Sequence, residues 1–185
     1  MSSSAATPSA AGKRSLYTLY DSAVPLARGS LASLKRILEK AEESPNGQGL
    51  LQERLYDDML PLTFQIFQVT DLSTKMVARL TGKDIPLPEN NIATYADAYA
   101  HIDKAQEILA QVDRDTVNNR QNEIVALGLG TSASIDIEAS AYVGIWSIPN
   151  IMFHLTTSFS ILRSRGIPIG KKDYMGPFLA PYYTV

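Results

Sequence analysis

The chain has no cysteine. That excludes disulfides, thiolate metal sites and a cysteine nucleophile, and it fits a cytosolic protein, which makes the cytoplasm the expected location. Histidine is nearly as scarce: His101 and His154 are the only two in 185 residues. A zinc or iron centre built on imidazoles needs two or three that converge. No His-x-x-x-His or Glu-x-x-His pair stands anywhere in the chain. Neither sign of charge is in excess, with 17 Lys and Arg against 19 Asp and Glu and a net charge of −2. A nucleic-acid binder shows a basic stripe, and none is present, so nucleic acid is not an expected partner. No apolar run reaches the roughly 20 residues that cross a bilayer, so a membrane is not expected either. The first twelve residues lack the apolar stretch of a secretory signal. Residues 1–14, rich in Ser and Ala, read as a disordered leader, and residues 15–185 as one domain.

Hydrophobic residues make up 45% of the chain, enough for a substantial core. The stretch that organises it is Ser147–Gly176. Ile148, Met152, Leu155, Phe159 and Leu162 recur at helical spacing and put one apolar stripe on a long helix that reaches Arg165 and stops at Gly166. Pro149 lies inside that helix, where it removes the partner of the Ile145 carbonyl and predicts a kink. Three more helices precede it. The first starts near Asp21–Pro25, capped by Asp21 or Ser22, with Leu31, Leu34, Ile37 and Leu38 on its inner side. Gly29 within it points to close packing against a neighbour. The second opens at Asp57–Pro61, carries Leu62, Ile66, Val69, Met76 and Leu80, and ends at Gly82 in a left-handed cap. The third is capped by Thr94 with Asp97 as its partner and runs to about Val112. The polar residues 113–122 break the pattern. Glu123–Leu127 and Ser134–Ile137 then alternate as a small β-hairpin, which must lean on the helices because two strands alone are marginal. The tail beyond Gly166 is apolar and aromatic, and packs on the bundle or on a second subunit. The pattern is all-α: a four-helix bundle with a hairpin between helices three and four.

Residues with chemical potential are few. His154 lies one turn beyond Asn150, so the two side chains share a face, bordered by Tyr142, Trp146 and Phe153. This reads either as a partly apolar pocket with His154 as acid, base or hydrogen-bond donor, or as a structural histidine beside a proline kink. On helix two, Gln65, Gln68, Asp71 and Lys75 follow at three- and four-residue steps. Asp71 and Lys75 read as a solvated i, i+4 pair; Gln65 and Gln68 either line a cavity or face solvent. Asp57 and Asp58 ordinarily cap helix two, with a catalytic carboxylate as the alternative. Lys171, Lys172 and Asp173 read as a solvated turn, with anion binding as the other option. A metal assembled from Asp58, Asp71 or Glu138 with one histidine finds no support in the spacing. GLGTSAS at 128–134 matches no phosphate-binding motif.

Two groups of motifs resemble a known family. Asp58-Met59-Leu60-Pro61-Leu62, followed by Gln65 and Gln68, is similar to its D-M-x-P-L helix opening. Pro149-Asn150-Ile151-Met152-Phe153-His154, then Leu162-Arg163, Gly166-Ile167 and Ile169-Gly170-Lys171-Lys172-Asp173-Tyr174, is similar to its P-N-x-x-F-H signature and the G-K-x-D segment that follows. The family is DUF1993, a branch of the DinB-like helical bundles, and the likeness spans about residues 16–176. It implies a DinB-like four-helix bundle, often dimeric in related proteins, so a homodimer is expected. Metal-binding DinB relatives carry three histidines in a central cavity. Here helix four supplies only His154 and helix two supplies none, so the resemblance departs from the metal-binding pattern and implies no metal and no cofactor. The leader and tail suggest a fungal member, and fungal relatives point to natural-product pathways and a small apolar organic molecule as ligand. The expectation is a metal-independent enzyme of isomerase or cyclase type, with His154 and Asp58 catalytic and Asn150, Gln65, Gln68, Tyr142, Trp146 and Phe153 contacting the substrate. The alternative is a non-catalytic ligand-binding or dimeric scaffold protein.

Overall fold

The structure, a computed structural model, describes residues 17–130 and 133–182. The expected leader, residues 1–14, lies outside the described residues. Helix α1 (Leu19–Glu42) starts two residues before the expected cap. Thr18 takes the capping position: its N–H and its hydroxyl both donate to Asp21 Oδ2, at 3.0 and 2.8 Å. Asp21 is therefore the capping-box partner and not the cap. Leu31, Leu34, Ile37 and Leu38 are fully buried, as their spacing requires. A short 3-10 turn, Gly47–Gln52, follows and buries Leu50 and Leu51.

Helix α2 (Leu62–Thr81) begins after Pro61. The Pro61 carbonyl accepts from the N–H groups of Phe64 and Gln65, and the Leu62 N–H donates to the Glu53 carbonyl. The N–H groups of Leu62, Phe64 and Gln65 are thus met by backbone, and Asp57 and Asp58 sit in an exposed turn before the helix without capping it. Gly82 closes α2 in the left-handed region at φ 67°, as expected. Asp71 departs from expectation: only 3% of it is exposed. Its carboxylate is met by Lys75 Nζ at 2.6 Å, so the i, i+4 pair exists but caps a buried charge and does not decorate a solvated face.

Helix α3 (Tyr95–Ala110) has the predicted Thr94–Asp97 box. The polar stretch after it is not irregular. Asp113 Oδ2 accepts from the Thr116 N–H at 2.7 Å and starts a short helix, α4 (Arg114–Asn119), that buries Val117. The hairpin is as read: β1 (Ile124–Leu129) pairs antiparallel with β2 (Ala133–Glu138), and Val125 and Leu127 turn inward.

The fourth long helix changes its hydrogen-bond pattern along its length. A single turn, α5 (Ala139–Ala141), passes into a π turn over Tyr142–Ser147 and then into α6 (Ile148–Ser164). The Ile148 N–H reaches the Val143 carbonyl, five residues back. Ser147 and Ile148 are themselves helical, so the run from Ala139 to Ser164 is continuous and Pro149 lies inside it, as its position in the sequence predicts, with the π turn just before it taking up the change in the backbone ladder. Helices α1, α2, α3 and α6 pack around one core. After Gly166 (φ 84°), Ile167 and Ile169 are buried and α7 (Lys171–Leu179) packs along α1.

Asp173 holds that last helix in place. Its polar neighbours in sequence predict a solvated turn, yet it is 7% exposed. Its Oδ2 accepts from the Gly170 N–H at 2.8 Å, and its Oδ1 meets Lys40 Nζ at 2.8 Å and Arg36 Nε at 3.2 Å on α1. The Lys40 ammonium in particular holds the carboxyl well below its ordinary value, at about 2. The folded form therefore binds this proton less readily than the unfolded chain. The stabilisation is complete above pH of about 4 and disappears as pH falls toward about 2. Replacing Asp173 by Ala should cost roughly 1–3 kcal/mol at neutral pH through the lost cap and the lost charged hydrogen bonds. Urea denaturation at pH 7 and pH 3 checks it: the gap between the native protein and the Ala variant should be smaller at pH 3.

Candidate functional site

Gln65 is 3% exposed on the first turns of α2. Its side-chain Nε2 donates to the Leu60 carbonyl at 3.0 Å. A carbonyl only accepts, so the amide orientation is fixed, and Oε1 is the atom turned toward α6. There it lies 2.7 Å from His154 Nδ1. An amide oxygen also only accepts, so His154 carries its proton on Nδ1, and Nε2 is left with a lone pair. Among the described residues no group hydrogen-bonds to Nε2.

The imidazole is held by aromatic edges. Phe153 and Phe64 meet it edge-on, with ring centroids at 5.2 and 6.2 Å. Burial pushes its pKa down to about 4, because the charged ring would be poorly solvated there. His154 is thus neutral at pH 7, with an oriented acceptor nitrogen beside Phe64 and Phe153.

The other expected residues divide. Asn150 shares the helix with His154, but its Nδ2 donates to the Trp146 carbonyl at 3.1 Å, so it secures the backbone below the π turn. Trp146 is part-buried against the core. Tyr142 is 1% exposed, with the Arg79 guanidinium 5.0 Å from its ring centre; it is a core residue and not a pocket wall. Phe153 is 58% exposed. Gln68 is half-buried and hydrogen-bonds to no described residue. Asp58 is exposed in the turn before α2 and has no hydrogen bond to His154. The structure therefore joins His154 to Gln65 and Phe153, and leaves Asp58 apart. Two contributors escape a reading of side chains alone: the Leu60 carbonyl, which acts through backbone, and Phe64, whose helical spacing marks it only as apolar surface.

Four clefts on the described surface, of about 680, 780, 360 and 170 Å³, include neither His154 nor Asp58. His154 occupies a rim between α2 and α6. Among the described residues no group of three or more His, Cys, Asp or Glu is placed to hold a metal ion. The one described side chain hydrogen-bonded to the His154 ring is the Gln65 amide.

The unfolded chain takes up the His154 proton near 6.5 and the folded chain only near 4. Between these values the unfolded state binds more protons, so stability falls as pH drops. In His154→Gln that slope should flatten, measured as the urea midpoint at steps from pH 7.5 to 4. Nitrogen NMR should show the Nδ1–H form at pH 7; an Nε2–H form would contradict the Gln65 contact.

Comparison with known proteins agrees with this architecture. A family model described as "Domain of unknown function (DUF1993)" matches residues 19–175. The crystal structure of a DinB family member from Shewanella denitrificans superposes with a TM-score of 0.77 at 28% identity, covering 85% of this chain and 92% of that one. No curated protein matches the chain. The match over residues 19–175, with the bundle, the hairpin and the P-N-x-x-F-H segment in their places, means that this chain belongs to the DUF1993 family of DinB-like helical bundles.

Proposed function

We propose that this protein binds a small, largely apolar organic molecule at the α2–α6 rim without a resident metal, and that His154 recognises it by accepting a hydrogen bond at Nε2. One observation supports this above others. The Leu60–Gln65–His154 chain orients the ring and leaves Nε2 with a lone pair, on an imidazole that packs against Phe64 and Phe153. The support is the chemistry of the contact, one placed polar atom on an apolar surface, and not a cleft, since His154 lies outside the four described above.

Isomerase or cyclase chemistry would use the same lone pair as a base. A group with a pKa of about 4 is a weak proton acceptor at neutral pH, and Asp58 is not positioned as its partner. Binding is the reading the geometry favours. A hydroxyl or N–H on an aromatic body is the matching ligand chemistry.

A homodimer is a second reading, supported by a separate observation. Ile145, Pro149 and Phe153 follow at four-residue steps and are all exposed, Ile145 by 67% and Phe153 by 58%. Such a stripe on one helix suits a second copy of the same face.

Naphthol should bind saturably, and naphthalene three- to tenfold more weakly, the range expected for one hydrogen bond. His154→Ala should reduce naphthol to the level of naphthalene while circular dichroism stays unchanged. Equal binding of the two probes to the native protein would remove the role given to His154. For the dimer, light scattering should give twice the chain mass, and Phe153→Asp should give a monomer; a native monomer would end that reading.

A further inference from the structure

A separate cleft lies against α1. The cleft of about 680 Å³ there is formed by α1, the end of α3, the start of α4 and the C-terminal turn. Its volume falls in the range of small-molecule sites, and none of the residues assigned to the His154 rim line it. The floor depends on Gly29. A Cβ at that position would come within 2.5 Å of Phe178 Cδ1, so the missing side chain lets the Phe178 ring lie down on α1. Phe178 is stacked on Tyr174 at 6.1 Å, which holds the ring from behind. Tyr17 and Tyr182, 73% and 80% exposed, flank the opening with large aromatic surfaces.

Charge in the cleft runs against the chain as a whole. The net charge of the protein is −2, yet the charged groups lining the cleft are two arginines, Arg28 and Arg114, and one aspartate, Asp21. Arg114 is already committed. Its terminal nitrogens reach Asp21 Oδ1 and Oδ2 at 2.7 and 2.8 Å, and its guanidinium lies 4.7 Å from the Tyr20 ring centre. Arg28 has no carboxylate partner among the described residues, and it is oriented. Gln106 Nε2 donates to the Arg28 carbonyl at 2.8 Å, which turns Gln106 Oε1 toward Arg28 Nε at 3.4 Å. The guanidinium is thus tethered at Nε, and its two terminal nitrogens are left to other partners. That paired edge matches the geometry of a carboxylate or sulfonate.

We propose that this cleft is a binding site for a small aromatic anion, with its ring against Phe178, Tyr17 and Tyr182 and its acidic group on the terminal nitrogens of Arg28. Carboxylic and sulfonic acids of one- or two-ring aromatics are the ligand class. The site is independent of the His154 rim.

The full-length chain is titrated with anilinonaphthalene sulfonate, an aromatic anion, and with the uncharged phenylnaphthylamine. Blue-shifted fluorescence should saturate at one sulfonate per chain. Arg28→Ala should weaken the sulfonate about tenfold and leave the uncharged probe unchanged, and Arg28→Lys should fall between, because it keeps the charge and loses the fork. Amide NMR shifts on adding the sulfonate should gather at Tyr17, Tyr20, Arg28 and Phe178. Three results would overturn the proposal: non-saturating fluorescence, equal loss of both probes in Arg28→Ala, or shifts gathered at Phe64, Phe153 and His154. Since Arg28 is exposed, the variant should fold; matched circular dichroism spectra confirm that any loss is local.

Discussion

Pro149 has no N–H, and the helix that carries the P-N-x-x-F-H segment must be built around that fact. The backbone ladder changes register at this point. Ile148 bonds five residues back, and the next residue has no bond to give. One extra residue in a turn rotates everything downstream by about 100° relative to a regular helix. The π turn over Tyr142–Ser147 thereby sets which face of α6 is turned toward α2. Tyr142 goes into the core, Phe153 comes out, and His154 is delivered to Gln65. The irregular turn selects the phase of the helix that bears the histidine.

The rim and the packing of the bundle are coupled through buried polar groups that are each satisfied. Gln65 is buried and uses both ends of its amide, one on the Leu60 backbone and one on His154. Asp71 is buried and answered by Lys75. Asp173 is buried and answered by α1 and by its own helix start. Buried groups of this kind are costly when left alone and specific when paired. They fix where α2 meets α6 and where α7 meets α1. The α7 contact also shapes the aromatic cleft, because Gly29 and Phe178 belong to the same seam that Asp173 secures.

Much of the fold was legible in order along the chain. Helical spacing at Leu31, Leu34, Ile37 and Leu38 named a buried face that is buried. Gly82 and Gly166 named helix ends that have positive φ. The Thr94–Asp97 box and the hairpin are where local rules put them. The misread helix starts share one cause, the choice among neighbouring groups that can cap. Asp57 and Asp58 can cap a helix, but the Pro61 carbonyl and Glu53 already serve α2. Asp21 can cap α1, but Thr18 precedes it. Asp113 can start a helix within a polar run, and it does. Local pattern shows that a cap is available and not which neighbour takes the role.

What the sequence determined alone is what depends on near neighbours: the four long helices, their glycine ends, the hairpin, and a histidine count too low for a triad. Spacing placed Asn150 and His154 on one helix, and composition left the chain without thiols. The tertiary structure alone decided which polar groups meet across the bundle. Gln65 and His154 lie 89 residues apart, Asp173 lies 137 residues from Arg36, and Arg28 lies 78 from Gln106. Each pairing depends on the angle and register at which two helices pack. Those are set by the sum of many apolar contacts and by one irregular turn, so no single stretch of the chain contains them.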